Sequence, residues 1–279
     1  MNKNFKTVAV VTPCRNSEKY LSEAIDSVIN QEGDFYIDYV VVDCCSSDGT
    51  LRILERYRRL IEAGKEVKCK GLSFRYISEP DSSMYEGLAK GFKLVEGDIA
   101  CYLNSDDFYL PNAFKTVVKQ FYRKEVNWLT GLPCIYNEDG AILPSMTPCL
   151  YNSRLIRKGA YGRYLPHIQQ ESTFWSFELF DVIDFSLLAN FKLAGDYYLW
   201  RTFSEKCELF TLNALLSGFR LHNGNMSLQS DDYRNEFETI AEGGLGVLDK
   251  LRILILKIAF KLFGNKVVNY APLVLRVHK

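Results

Sequence analysis

Along the first hundred residues, short apolar runs alternate with segments whose apolar positions recur every three or four residues. "TVAVVTP", "DYVVVDC" and "LSFRYISEP" have the length and composition of strands, whereas "SEKYLSEAIDSVINQ", "DGTLRILERYRRLIEAG" and "MYEGLAKGFKLVEG" carry helical spacing. Strand and helix in alternation predict a parallel sheet flanked by helices. A fourth apolar run, "DIACYLNSDD", leads straight into two adjacent carboxylates, Asp106 and Asp107. Such a pair repels itself unless water screens it or a cation or hydroxyl shares it. It falls at the carboxyl end of a strand, where open parallel sheets form their ligand crevice. A solvated turn that caps a helix is the plain alternative.

Three more polar clusters, "TPCRNSEKY", "VDCCSSDGT" and "SEPDSSMYEG", fall at corresponding strand ends. Asp43 closes a run of valines and Asp81 follows Pro80, so both lie where a buried strand opens into a loop and can accept hydrogen bonds from a base or ribose. Asp48 is better read as a helix cap, with Thr50 in the first turn. Neither GxGxxG after the first strand nor GxxxxGK[ST] occurs, which removes a dinucleotide fingerprint and a P-loop; "EGGLG" follows no strand and reads as a loop. A diphosphate can be held without a P-loop when one or two carboxylates carry Mg²⁺ or Mn²⁺ and phosphate and water complete the shell.

Composition narrows the picture. The chain has 279 residues, enough for one large α/β domain or two small ones. Lys plus Arg and Asp plus Glu are 34 each, so no global field favours nucleic acid. Eight cysteines lack metal-type spacing, and the neighbours Cys44 and Cys45 suit no ordinary disulfide. Reduced thiols in a cytoplasmic setting are the expectation, and the N-terminus shows no secretory apolar region.

Taken in order, "TPCRNSEKYLSEAIDSVINQ", "VVDCCSSDGT", "SEPDSSMYEGLAKG", "GDIACYLNSDDFYLP" and "AGDYYLW" resemble the inverting nucleotide-sugar glycosyltransferases of family 2, from residue 7 to about 225. The resemblance implies a GT-A fold, α/β and Rossmann-like, with a mostly parallel central sheet flanked by helices and a C-terminal amphipathic helical extension. It divides the chain into a glycosyltransferase domain at 1–238, with a nucleotide-binding half at 1–112 and an acceptor-binding half at 113–238, and a tail at 239–279. It implies a donor site in which Pro13, Arg15, Asp43, Asp81, Lys90 and Asp106 meet the nucleotide, and Asp107, with Asp106, holds Mn²⁺ or Mg²⁺. The chain departs from the family's common form at Cys44, Cys45, Ser83 and Ala89, and Asn104 stands at the first position of a strict DxD.

The resemblance also implies a general base for the acceptor hydroxyl. Asp196 stands at the second acid of an "ED" pattern, with Gly195 in place of the glutamate, and Glu171 is the other candidate; a helix cap is the structural reading of Asp196. In "GFRLHNGNMS", His222 is a further candidate metal ligand and Arg220 a candidate phosphate contact, against the alternative of an exposed loop. His167 is a weaker candidate and His278 belongs to the tail. Phe174 and Trp175 either stack on a sugar or fill the core.

Near the C-terminus, "LDKLRILILKIAFKLFG" sets Lys250, Lys257 and Lys261 on one face of an apolar helix, too short and charged to span a bilayer. Three roles stay open for residues 248–263: a membrane surface at the inner face of the plasma membrane, a homodimer partner, or the chain's own domain. The expected activity is metal-dependent, inverting transfer of a hexosyl group from a nucleotide-diphosphate sugar to a saccharide or lipid-linked saccharide in cell-surface polysaccharide or glycolipid synthesis. The alternative is a non-catalytic nucleotide-sugar-binding module on the same fold, for which Gly195, Ala89 and Asn104 speak.

Overall fold

A computed structural model describes residues 6–122, 126–143, 151–225 and 230–263. Its first half follows the hydrophobic alternation: β1 (Thr7–Cys14), α1 (Leu21–Ile29), β2 (Tyr36–Asp43), α2 (Thr50–Glu62), β3 (Gly71–Ser78), α3 (Met84–Phe92) and β4 (Ile99–Tyr102). Next come β5 (Phe108–Tyr109), α4 (Ala113–Phe121), β6 (Trp128–Leu132), β7 (Ile135–Tyr136), β8 (Ile142–Leu143) and α5 (Ser153–Arg157). A 3₁₀ turn at Gln170–Ser172 leads into β9 (Thr173–Ser176), and a second, Phe177–Val182, leads to α6 (Phe185–Asn190) and α7 (Gly195–Phe203). β10 (Phe210–Leu215), β11 (Ser217–Arg220), α8 (Ser230–Ile240) and α9 (Val247–Phe263) complete the described chain. The division drawn after residue 238 falls inside α8.

The main sheet has seven strands in the order β10-β6-β9-β4-β1-β2-β3. β1 through β4 run parallel, β9 is antiparallel to both β4 and β6, and β10 is parallel to β6. From β1 the chain winds outward through β2 and β3, then returns to place β4 on the other side of β1. That reversal opens a crevice at the carboxyl ends of β1 and β4.

β1 and β2 are almost wholly buried because helices cover both faces, which is why they read as continuous apolar runs. One core layer packs β-strand side chains against α3, α6 and α7, the other against α1, α2 and α4. Gly91 is needed where α3 crosses β1: a Cβ there would collide with Val11. Phe174 and Trp175 alternate along β9 into opposite layers, both fully buried. They are core, and the sugar-stacking alternative falls.

A second, four-stranded sheet, ordered β5-β11-β7-β8, sits beyond the crevice. β11 pairs antiparallel with β5 through Ser217↔Tyr109 and Gly218↔Phe108. Continuing that register brings Arg220 alongside the acid pair, although more than a hundred residues separate them.

Candidate active site

The three loops that follow β1, β2 and β4 are laced to one another by short polar side chains. Asn16 turns in the left-handed region (φ 49°), donates its N–H to Ser46 Oγ at 2.7 Å and accepts from Ser47 N at 2.9 Å. Ser17 donates its N–H to Thr50 Oγ1 at 2.8 Å and shares a hydroxyl contact with Ser105 at 2.8 Å. Asp48 accepts from Thr50 N at 2.9 Å, as a cap should, and also from Glu18 N at 3.1 Å. These bonds close the loops into one rim above the carboxyl edge of the sheet.

Above that rim lies a cleft of about 1290 Å³. Seven of the ten candidate residues line it: Pro13, Arg15, Asp81, Asp106, Glu171, Asp196 and His222. The other three, Asp43, Lys90 and Asp107, do not line it, each for a physical reason. Asp43 is fully buried beneath its own loop; it accepts from Ser46 N at 3.0 Å, from Ser46 Oγ and from Ser78 Oγ at 2.6 Å. Those bonds hold Cys45 in the left-handed region, at φ 45°. Lys90 points away from the cleft, donating to the Pro80 carbonyl at 2.6 Å and pairing with Glu86 at 3.3 Å.

The acid pair divides its labour. Asp107 is 1% exposed, and its Oδ1 accepts the backbone N–H of Arg220 at 2.9 Å, pinning β11 against the turn after β4. Burial, with Asp106 and Glu171 nearby, pushes its carboxyl well above the ordinary range. Asp106 faces the cleft, and its Oδ2 lies 2.8 Å from His222 Nε2 and 3.4 Å from Asn225 Nδ2. Arg220 is a post and not an open phosphate ligand: its guanidinium bonds the Asp106 carbonyl at 3.1 Å, pairs with Glu23 at 2.5 Å and packs over the Tyr20 ring.

The loop after Arg220 is shaped to present His222. Asn225 Oδ1 accepts the His222 N–H at 2.6 Å, and Gly224 N donates to Nδ1 at 3.1 Å. An accepting Nδ1 leaves Nε2 as the protonated nitrogen of the neutral ring, directed at Asp106. As the loop stands, Nε2 spends its proton on Asp106, so a lone pair for Mn²⁺ or Mg²⁺ requires the ring proton to move to Nδ1 and Gly224 N–H to release it; Asp106 then offers a carboxylate oxygen and His222 an imidazole nitrogen, with phosphate and water supplying the remaining positions. Among the described residues no group of three His, Cys, Asp or Glu could hold a metal without such help.

Across the cleft, α7 opens with Gly195 and Asp196. Gly195 is required because Tyr85 lies against it, its hydroxyl donating to the Leu193 carbonyl at 3.0 Å; any Cβ would enter the ring. Asp196 accepts from its neighbour Tyr197 N at 2.7 Å, and burial raises its carboxyl to about 7. Glu236 of α8 adds to that rise; it also gathers the N–H groups of Lys192, Leu193 and Ala194 within 2.7 Å, fixing the start of α7. Glu171, 2% exposed in the 3₁₀ turn, has an unpartnered buried Oε1 and is pushed by burial up to about 8. His167 lies in the same wall, its ring against Tyr233, and burial lowers its pKa. Glu236, Asn225 and Glu23 carry no local pattern that singles them out: Glu236 sits in the polar helix α8, Asn225 in the loop after β11, and Glu23 on the outer face of the amphipathic helix α1.

The family model described as Glycosyl transferase family 2 matches residues 9–183. Among curated proteins, the chain is 30% identical over 100 residues to the putative teichuronic acid biosynthesis glycosyltransferase TuaG of Bacillus subtilis, covering 36% of each chain. It is 31% identical over 103 residues to the poly(ribitol-phosphate) beta-N-acetylglucosaminyltransferase TarS of Staphylococcus aureus, covering 36% of this chain and 16% of that protein. The matched stretches are therefore a minor part of each relative's length. Among solved structures, residues 1–349 of S. aureus TarS superpose with a TM-score of 0.61 at 19% identity, over 93% of this chain and 73% of that one. The mannosyltransferase PcManGT of Pyrobaculum calidifontis, solved with GDP-Man and Mn²⁺, gives 0.58 at 14% identity, over 95% and 73%. The likeness establishes a GT-A-like fold.

Proposed function

Since the chain belongs to glycosyl transferase family 2, we propose that it transfers a hexosyl group from a nucleotide-diphosphate sugar to a hydroxyl of a saccharide or lipid-linked saccharide, with inversion. One observation carries the reading: Asp106 and His222 meet at 2.8 Å on the wall of the same cleft that Asp196 enters from the opposite helix. A phosphate-neutralising set and a separate base are the two charged sites that glycosyl transfer requires.

In this reading Arg15, Pro13 and Asp81 line the donor end of the cleft. Asp106, and His222 once its ring proton sits on Nδ1, would hold Mn²⁺ or Mg²⁺, which would supply positive charge to the departing diphosphate. Asp196 accepts the proton of the acceptor hydroxyl, its raised pKa being matched to that task near neutral pH. A hydroxyl activated in this way attacks the anomeric carbon from the face opposite the leaving group, and direct displacement inverts that centre. Glu171, more deeply buried and protonated at neutral pH, keeps the floor of the cleft uncharged. TarS has been solved with UDP-GlcNAc, and its name and that of TuaG concern poly(ribitol-phosphate) and teichuronic acid; these support a sugar donor of the UDP class and a polysaccharide or glycolipid as product.

The test is a thermal-shift panel of nucleotide-diphosphate sugars with and without Mn²⁺. A ligand at a hundred times its Kd stabilises the folded state by about 2.7 kcal/mol, so the true donor raises the melting temperature by several degrees, only with metal. No response to any donor would overturn the reading, whereas a metal-dependent response without transfer to any acceptor would leave the binding-module alternative in place of the enzyme.

A further inference from the structure

The C-terminal helix α9 docks on the domain by one face only. Ile253 is buried in the core layer that holds α7, and Leu256 packs against it. Asp249, the only acid in α9, is turned inward; it bonds Arg154 at 2.7 Å and approaches Lys158 at 3.7 Å, so its carboxyl is held down at about 2. Among the described residues, none covers the opposite face. Val247, Leu248, Leu251, Leu254, Ile255 and Ile258 are 48% to 83% exposed, and at 3.6 residues per turn they form a continuous stripe about 120° wide.

Exposed basic side chains border the stripe, Arg252 on one side and Lys250 with Lys257 on the other. We infer that this face lies in the headgroup region of an anionic lipid bilayer, with the apolar stripe below the phosphates and the three cations at their level. The charge pattern chooses the occupant. A two-fold pair of α9 helices would repeat the same basic borders in both copies, and α9 has no exposed acid to answer them, because Asp249 is spent on Arg154. Anionic headgroups supply the missing charge. Among the described residues no helix is long and apolar enough to cross a membrane, so α9 rests on the surface.

The attachment also reaches the site. Asp249 ties α9 to α5 and its C-cap Lys158, and α5 accepts the Tyr197 hydroxyl through the carbonyls of Ile156 and Arg157, each at 3.0 Å. Tyr197 follows Asp196 in the first turn of α7. The acceptor side of the cleft is thus mechanically continuous with the lipid-facing helix.

The experiment is co-sedimentation of the full chain with vesicles of phosphatidylglycerol and phosphatidylcholine in equal parts, beside pure phosphatidylcholine vesicles, with light scattering of the vesicle-free protein. Binding at least about tenfold stronger to the anionic vesicles, weakened by salt and abolished by the double substitution Leu254→Glu with Ile258→Glu, is the expected result. Both positions are exposed, and an unchanged melting temperature confirms that the fold is kept. Equal vesicle binding by wild type and double variant, absence of binding to anionic vesicles, or a dimer that the same variant splits would overturn the inference. These readouts need no donor or acceptor, so they stand apart from any failure of the catalytic reading.

Discussion

The two walls of the cleft use the same chemical group in opposite ways. On the donor wall, Asp43 is fully buried, yet it accepts from Ser46 and Ser78, and Asp48 accepts two backbone N–H groups. On the acceptor wall, Glu171 is buried and Asp196 half-buried, each with few donors, and desolvation lifts them to about 8 and about 7. Desolvation lifts the acceptor-wall pair, whereas the oxygens of Asp43 and Asp48 are taken up by hydrogen bonds within their own rim. Asp43 and Asp48 serve as cement for their loops, and the two acceptor-wall acids are groups that can exchange a proton near neutral pH.

The largest test of that division concerns the adjacent acids. Asp106→Asn should lose about a thousandfold or more in transfer, and with it metal-dependent donor binding, because the cleft-facing anionic ligand is gone. Asp107→Asn should retain most activity, since an amide oxygen can still accept from Arg220 N. Turnover assays and Mn²⁺-dependent calorimetry of both variants decide the matter, and a reversed ranking would return the metal to Asp107.

Next in size is the base. Asp196→Asn should lower turnover by about 10²–10⁴ with donor affinity unchanged. In the wild type, kcat should rise with pH through about 7 as Asp196 loses its proton. A variant with ordinary turnover, or a wild-type profile flat from pH 5 to 9 by this reasoning, would make Asp196 a helix-start residue only.

The smallest effect is on stability. Glu171 is pushed up to about 8 in the folded chain, above its ordinary value in the unfolded one. As pH rises, the unfolded chain releases this proton first, so stability is full below about pH 4, falls between there and about pH 8, and levels off above. Glu171→Gln should remove that fall, on the order of 2–4 kcal/mol, in denaturant titrations at pH 5 and pH 8 set within this window. An identical pH dependence in wild type and variant would mean that Glu171 finds partners in solution.

Much of the donor half was legible because its signals are local. The strand and helix alternation of residues 7 to 102, the Asp48 cap and the loop clusters at strand ends depend on residues close in sequence, and the structure repeats them. Parallel strands enclosed by helices leave a near-continuous apolar signature. Even there, the number of carboxylates at strand ends did not say which faced the cleft. Asp43 and Asp107 differ from Asp106 only in what folds over them.

The sequence by itself determined the alternation that makes the sheet and the polar loops that crowd its carboxyl edge. Only tertiary structure decided the rest: β11 pairing with β5 to bring Arg220 and His222 against the acid pair, Glu236 reaching from α8 to the start of α7, and Asp249 turning inward so that the leucines of α9 face out. The physical reason is one of range. Backbone propensity and hydrophobic period are set within a few residues, whereas desolvation and hydrogen-bond supply depend on whatever segment the fold brings alongside.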